Sequence, residues 1–275
     1  MDSVIVCYLV INQIFKYCLA TTEAYAAISL TYIPTRILAT ATVLDLNKNS
    51  LSQINPGELT SLASLNTIDL SFNSFTDIPY LCDVGNTLLY LTLNDNPGIT
   101  LFNSSQLNCL NVLVYLNLDK TELTVFPDLS PIGPSLVMLR INNCKLTSVP
   151  SGSFVNMHQL ADLSMAYNQI TNFPDLTGLE DTLTTFTINN NNIKSMTSNA
   201  FSSMKKLSFL HLAANGFPKL PDICATNDTL TQLFIHGNAI TNIDPNLISC
   251  LSNLEYLIIG GKFLTFDTGF LGTQL

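Results

Sequence analysis

The sequence predicts an α/β repeat solenoid of about ten coils that share one parallel sheet. A motif of the form L-x-x-L-x-L-x-x-N-x-L recurs ten times, at steps of 23 to 25 residues. Its inward positions are Leu, Ile, Met or Phe, so stacked copies bury one continuous apolar column. The Asn-type position falls at Asn49, Asn73, Asn96, Thr121, Cys144, Asn168, Asn191, Asn215, Asn238 and Lys262.

Each copy of the motif predicts one short strand followed by a sharp turn. The alternating piece from Ile68 to Leu70 is too short to form a sheet alone, but stacking makes it one rung. The Asn side chain can bond backbone groups that the turn leaves unpaired inside the coil. Thr121 and Cys144 are small polar substitutes that do this less well. Lys262 is a poor substitute, so we expect the regular repeat to end there.

A second period of about 47 residues lies over the first. Even coils carry a Pro-containing outer segment such as residues 126–129, and odd coils carry a longer one such as residues 152–157 or 199–204. Proline removes a backbone donor and resists helix interiors, so we expect extended even segments. The odd segments have room for a short helical turn. Strand and loop should dominate, with little regular helix.

Over about residues 36–264 these units resemble the leucine-rich-repeat family. Their length is closest to the extracellular type found in Toll-like receptors, small leucine-rich proteoglycans and variable lymphocyte receptors. The resemblance implies a horseshoe with the parallel sheet on its concave face and extended or short helical segments on its convex face. We assign residues 25–43 to an N-terminal cap-like segment, 44–264 to the repeats, and 265–275 to the end of the last repeat, without a recognisable cap.

Charge excludes some classes of partner. The chain has 11 basic and 20 acidic residues, a net charge of −9, and no cluster of Lys and Arg. Nucleic acids and anionic membrane surfaces are bound by such clusters, so neither is an expected partner. The apolar run at residues 4–11 is too short to cross a membrane, which takes roughly 20 apolar residues. We expect no transmembrane segment in this chain.

The cysteines predict two disulfides. Cys82 and Cys109 are 27 residues apart, and Cys224 and Cys250 are 26 apart. Each pair places one Cys after an even coil's Pro segment and the other in the next coil's outer arc, where neighbouring arcs lie side by side. The alternative is four buried thiols. Cys144 occupies a position of the Asn ladder and is read as a buried free thiol.

Export is favoured by three features together. Residues 1–24 resemble a secretory leader, with cleavage near Ala20 or Ala24; the alternative is an irregular cap or a truncated earlier coil. Asn103 and Asn227 each begin an Asn-x-Ser/Thr acceptor for N-glycosylation, on outer segments that tolerate a glycan. With the cysteine pairs, these features predict a secreted or extracellular protein, or a cell-surface one if an anchor lies elsewhere.

Catalytic signatures are missing from the sequence. It contains three histidines and no G-x-S-x-G, H-E-x-x-H or phosphate-binding Gly loop. His211 and His236 project from adjacent rungs, but ordinary contact residues are a better interpretation than an acid–base or metal pair. An open sheet also excludes water poorly, whereas catalysis usually wants a dry site. We therefore predict no enzyme, no metal and no cofactor.

Side chains alternate along a strand, so residues beside the inward positions point out of the sheet. Two patches of aromatic, Met, Arg and His side chains emerge there, and these types dominate binding hot spots. The first patch is Tyr90, Tyr115, Met138 and Arg140, and the second is Phe209, His211, Phe234, His236 and Tyr256. The alternative is that some rings only cover the sheet. Phe209, Phe234, Tyr256 and Ile258 could instead form a self-association surface.

The predicted function is a non-catalytic recognition module that binds a protein or glycan ligand on its concave face. A role in adhesion or innate immunity rests on the family resemblance alone. The alternative is an intracellular scaffold or adaptor on the same horseshoe. A third hypothesis, an enzyme or enzyme subunit, would require an activity that depends on His211 or His236.

Overall fold

The computed structural model describes residues 21–260, and these form the predicted solenoid. Eleven strands make one parallel sheet in which each strand pairs with its neighbours in chain order. The predictions for Lys262, for residues 265–275 and for most of the leader lie outside the described residues. The strands are β1 Thr22–Ala24, β2 Val43–Asp45, β3 Thr67–Asp69, β4 Tyr90–Thr92, β5 Tyr115–Asn117, β6 Met138–Arg140, β7 Asp162–Ser164, β8 Thr185–Thr187, β9 Phe209–His211, β10 Gln232–Phe234 and β11 Tyr256–Ile258.

The register of the sheet follows the repeat. From β2 onwards the central residue of each strand faces the central residue of the next, as Ile68 faces Leu91 and Leu116 faces Leu139. The central residues of β2 to β10 are Leu or Phe or Ile and have no exposed surface. They belong to one hydrophobic cluster that runs through the whole stack. The core is therefore a continuous column, as the spacing predicts.

The first strand, β1, is not predicted by the repeat. Thr22–Ala24 pairs in parallel with Val43–Asp45, inside the segment 1–24 that resembles a leader. The Tyr25 N–H continues the pairing by donating to the Asp45 carbonyl at 2.8 Å. Around β1 the two inward positions and the Asn position of the repeat are Glu23, Tyr25 and Ile28, and only the last Leu, Leu30, matches, which is why the pattern does not include this coil.

The Asn positions form a hydrogen-bonded ladder along the inside of the turns. Asn168 donates from Nδ2 to the carbonyls of Met165 in its own coil and Ile141 in the preceding coil, and its Oδ1 accepts from the Leu146 N–H. The same pattern recurs from Asn73 to Asn238 wherever the residue is Asn. Each Asn side chain therefore joins two coils.

The residue before each ladder position adopts the left-handed conformation, which lets the chain turn sharply after the strand. These residues have φ near +55°, an unusual value for side chains as bulky as Phe72 and Tyr167. The full set is Lys48, Phe72, Asp95, Lys120, Asn143, Tyr167, Asn190, Ala214 and Gly237.

Regular helix is scarce, as expected. A single five-residue α-helix, α1 (Pro245–Ser249), occurs among the described residues, in an odd coil with Asp244 as its N-cap. A 3₁₀ turn at Ser104–Leu107 lies in another odd coil. Two more 3₁₀ turns, Cys82–Val84 and Cys224–Thr226, follow Pro segments of even coils. Residues 152–157 and 199–204 form turns without a helix.

Both predicted disulfides are present. Cys82 is bonded to Cys109 and Cys224 to Cys250, with Cα atoms 5.3 and 5.5 Å apart. Each bond ties an even coil to the next odd coil on the side opposite the sheet. The two arcs approach each other closely there: a Cβ atom added to Gly85 would lie only 2.2 Å from the Cys109 carbonyl oxygen. Glycine at position 85 therefore lets the two arcs pack against each other.

Candidate recognition surface

The open face of the sheet, here called the sheet face, carries every residue of the two predicted patches. In β2 to β10 the two outer residues of each three-residue strand flank a buried central one, and in β11 the central Leu257 is half-buried. The pairing aligns these outer residues in two rows across the sheet, one of which runs through Thr67, Tyr90, Tyr115 and Met138. The structure thus brings together side chains that are far apart in sequence.

The second predicted patch is a continuous chain of rings, here called the aromatic patch (Phe209, His211, Phe234, His236 and Tyr256). The Phe234 ring lies 5.2 Å from Phe209, 5.1 Å from His211 and 5.5 Å from Tyr256, measured between centroids. The rings are tilted rather than stacked flat, the arrangement that aromatic pairs prefer. Tyr256 remains half exposed, at 52%. The patch is therefore a preformed apolar surface open to solvent.

The two histidines add polar groups to this surface. Their ring centroids are 6.1 Å apart. Burial, followed by the charge of His236, lowers the pKa of His211, which favours the neutral ring at neutral pH. Nδ1 of His236 is buried without a hydrogen-bond partner. Within residues 21–260 no group of three or more His, Cys, Asp or Glu side chains could hold a metal ion.

The first predicted patch, here called the tyrosine patch (Tyr90, Tyr115, Met138 and Arg140), occupies strands β4 to β6. The rings of Tyr90 and Tyr115 are 6.3 Å apart. Arg140 approaches Asp162 of the next strand at 3.7 Å. Burial raises the pKa of Tyr115, which keeps its hydroxyl protonated and able to donate. This patch is smaller and more polar than the aromatic patch.

Four carboxylates were not among the predicted site residues, although they lie in the same rows: Asp45, Asp69, Asp119 and Asp162. Burial raises the pKa of Asp45, Asp119 and Asp162, because desolvation disfavours a charged carboxylate. The column register of the repeat could have identified them, since it gives each residue that points out of the sheet.

A second cluster that the repeat motif does not reveal lies at the turn beyond β3. The exposed ring of Phe72 has the ammonium groups of Lys48 and Lys120 at 5.6 and 6.0 Å from its centroid. Lys120 also pairs with Asp95 at 3.3 Å. All four residues occupy the left-handed position before the ladder. Their common position before the ladder can be read from the sequence, but their side chains share no property that would mark them as a cluster.

The remaining predicted residues lie away from the sheet face. Asn103 is exposed, and its Oδ1 accepts from the N–H and the hydroxyl of Ser105. Asn227 is half-buried at the end of a 3₁₀ turn. Cys144 is a buried free thiol, and burial raises its pKa to about 11. A polar cleft of about 630 Å³ opens between the outer arcs of residues 172–177 and 195–204.

Sequence comparison relates the chain to Toll-like receptors. It is 32% identical to Toll-like receptor 2 type-2 of Gallus gallus over 135 residues, which are 42% of this chain and 17% of the receptor. It is 30% identical to Toll-like receptor 2 type-1 of the same species over the same length. The chain thus spans less than a fifth of the length of these relatives. No protein-family model matches it.

Solved structures share the fold. The chain superposes on the Toll-like receptor in a TLR13–ssRNA13 complex with a TM-score of 0.71 and 26% identity, covering 81% of this chain and 33% of that one. It also superposes on the leucine-rich-repeat ectodomain of the plant receptor kinase GASSHO1/SCHENGEN3 of Arabidopsis thaliana, with a TM-score of 0.65, 21% identity and coverage of 85% and 29%. The solenoid is therefore a leucine-rich-repeat fold.

Proposed function

We propose that this leucine-rich-repeat chain, related in sequence to Toll-like receptor 2, is an exported, non-catalytic recognition module. It binds a protein or glycan ligand on the sheet face, which is the concave face of the horseshoe. The observation that carries the proposal is the aromatic patch, five rings linked by successive contacts, of which Tyr256 is exposed and the other four are half-buried. Exposed contiguous apolar surface of this kind marks interaction sites.

The chemistry of the face supports binding over catalysis. The His211 ring lies against Phe209, Phe234 and His236, so it is part of the aromatic surface. Nucleic acid fits poorly, because the chain carries a net charge of −9 and four carboxylates lie in the same rows as the patches. Within residues 21–260, no helix is long and apolar enough to cross a membrane.

The two disulfides support export, because such bonds persist in oxidising compartments and are rare in the cytosol. Mass analysis of protein from its native source, without reductant, tests this. Export predicts that both bonds are found, each as a cross-linked peptide pair. Four free thiols in carefully alkylated protein would instead favour an intracellular scaffold on the same fold.

The binding claim is tested with the purified full chain in a screen against extracellular proteins and microbial glycans. Hits are then measured with Phe234→Ala and Tyr115→Ala, one variant for each patch. Leu101→Ala is the matched control, because Leu101 is 68% exposed on an outer arc. We expect at least one patch variant to weaken binding about tenfold or more, as hot-spot truncations do, and the control to bind normally. Hits that tolerate both patch variants would refute the proposal.

A further inference from the structure

Charge is distributed unevenly along the sheet face. The charged residues of the two outer rows all lie on β2 to β7, and further charged residues follow β2, β4 and β5. Together they are five carboxylates and three cationic groups, which leaves two negative charges in excess: Asp45, Asp69, Asp95, Asp119, Asp162, Lys48, Lys120 and Arg140. Strands β8 to β11 carry no such residue and hold the aromatic patch. The face therefore has an acidic end and an apolar end.

The acidic end gains from a cationic group. Asp119 Oδ1 accepts from the Asn142 N–H, and Asp69 Oδ1 accepts from the Ser71 N–H, so both carboxylates are fixed in orientation on the face. Arg140 forms an ion pair with Asp162 at 3.7 Å and acts at longer range on Asp119. Lys48 acts on Asp45, yet desolvation remains the largest influence on the pKa of Asp45 and Asp119. Asp45 and Asp119 are partly buried, and this desolvation raises their pKa. A cation placed against them would stabilise their charged form.

The apolar end gains from a ring or an aliphatic side chain. Phe209, Phe234 and Tyr256 lie side by side on successive strands, with centroids 5.2 and 5.5 Å apart. A ligand that covers these rings removes apolar surface from water, which stabilises the complex by about 25 cal/mol for each Å² buried. The hydroxyl of Tyr256 and the histidine nitrogens can bond the backbone of whatever covers the rings. An extended chain that crosses the strands would contact both ends of the face.

Resting on the proposed function, we propose that the ligand of this face is a polypeptide segment with an aromatic or aliphatic anchor on the aromatic patch and basic residues over the carboxylates of β5 to β7. Strands lie about 4.8 Å apart, so Asp162 on β7 is about 10 Å from Phe209 on β9 in the same row. Asp119 lies four strands away and four residues beyond that row, which puts it about 23 Å from Phe209. An extended segment covers these distances in about three and seven residues, so Lys or Arg stands three to seven positions from the anchor.

Other ligand chemistries use less of the surface. A neutral glycan would stack on the rings and bond the histidines, yet it would gain nothing from the excess carboxylates. An anionic glycan or an acidic peptide would be repelled by them. A basic and apolar segment matches both ends at once, which is why charge complementarity selects it.

Selection with a random library of peptides about twelve residues long, enough to span the face at about 3.3 Å per residue, tests the proposal. The bait is the purified full chain, and a neutral glycan array is probed in parallel. Affinities of selected peptides are then compared for Asp119→Asn/Asp162→Asn and for Phe209→Ala/Phe234→Ala. Asp228→Asn and Leu101→Ala are controls on the outer arcs. Circular dichroism melting verifies that all variants fold.

We expect selected peptides rich in Lys or Arg at the stated spacing from an aromatic or aliphatic residue. Either double variant should weaken the binding of these peptides about tenfold or more. Added salt should weaken the part of the binding that depends on charge. Peptides without basic enrichment, or ligands restricted to neutral glycans that still need Phe234, would overturn this inference but leave the proposed function standing. Ligands indifferent to both double variants would overturn both.

Discussion

At the scale of single residues, the Asn side chains inside the turns hold neighbouring coils together. Asn168 is buried, and its amide bonds backbone groups of its own coil and of the preceding one. Asn168→Asp removes the donors and buries a carboxylate, so we expect a loss of about 3 kcal/mol in the free energy of unfolding. Urea denaturation measures it.

Tyr115→Ala is the comparison for that variant, because Tyr115 is half-buried on the sheet face and bonds no neighbouring coil through its side chain. Its loss should cost much less stability than Asn168→Asp. Equal shifts in the unfolding midpoint of the two variants would contradict the register of the repeat.

The two glycosylation acceptors differ in access. Asn103 is exposed and bonded to the Ser105 hydroxyl at 2.8 Å, whereas Asn227 is half-buried at a 3₁₀ terminus. We expect a glycan at Asn103 and little or none at Asn227 when the chain is secreted. Intact mass before and after enzymatic deglycosylation measures occupancy, with Asn103→Gln as the control. A glycan on Asn227 alone would contradict the expectation.

Residue identities in the ladder could be predicted because one side-chain chemistry recurs at one spacing. The left-handed residues before it could not, since Lys48, Phe72, Tyr167 and Ala214 share a backbone conformation and no side-chain property. For the same reason the cluster around Phe72 appears only in the structure.

At the scale of structural elements, the ladder within residues 21–260 lacks one bridge, at Thr121 in the fourth coil, whereas the Cys144 thiol of the fifth coil still bonds the Leu118 carbonyl of the preceding coil at 3.4 Å. The Thr121 hydroxyl bonds Leu118 of its own coil and lies 3.3 Å from the Cys144 sulfur, so it does not bridge to the coil before it as Asn96 does. Thr121→Asn should restore that bridge and stabilise the fold by about 1 kcal/mol.

Chemical denaturation of Thr121→Asn and wild type tests this, with Thr124→Asn, a polar change on the outer part of the same coil, as the control. Destabilisation by Thr121→Asn comparable to that of Asn168→Asp would show that the site is shaped for Thr and Cys rather than weakened by them.

The strand β1 restricts where a leader could be cleaved. Cleavage after Ala24 would remove Thr22–Ala24 and leave the edge of β2 unpaired, whereas cleavage after Ala20 keeps the pairing. We expect the secreted chain to begin at Thr21. N-terminal sequencing of protein from culture medium measures this, and a start at Tyr25 would contradict it.

The strands and disulfide arcs could be predicted because hydrophobic spacing and cysteine spacing repeat with the coil. β1 could not, because Glu23, Tyr25 and Ile28 stand where the motif has two inward apolar residues and the Asn. The 3₁₀ turns at Cys82 and Cys224 follow Pro segments that were expected to be extended. Proline shapes only its own position and the one before it, so the chain is free to turn three residues later.

At the scale of the whole molecule, the stack of coils fixes one face as a row of strands. The fold does not fix which side chains project from that face. The sequence alone predicts both patches, because the repeat gives each outward residue its place. It does not predict that the five rings of the aromatic patch meet within contact distance, because that depends on side-chain orientation. The position of the carboxylates toward one end follows from the same register of the repeat.

The most direct test of recognition by the sheet face is hydroxyl-radical footprinting of the full chain with and without a ligand from the binding screen. The account predicts lower oxidation of aromatic and Met side chains on the sheet face, above all Phe209, Phe234 and Tyr256. Leu101 and Val125, exposed on outer arcs, should be oxidised equally in both states. Protection of the outer arcs, with the rings of the sheet face oxidised as in the free protein, would contradict it.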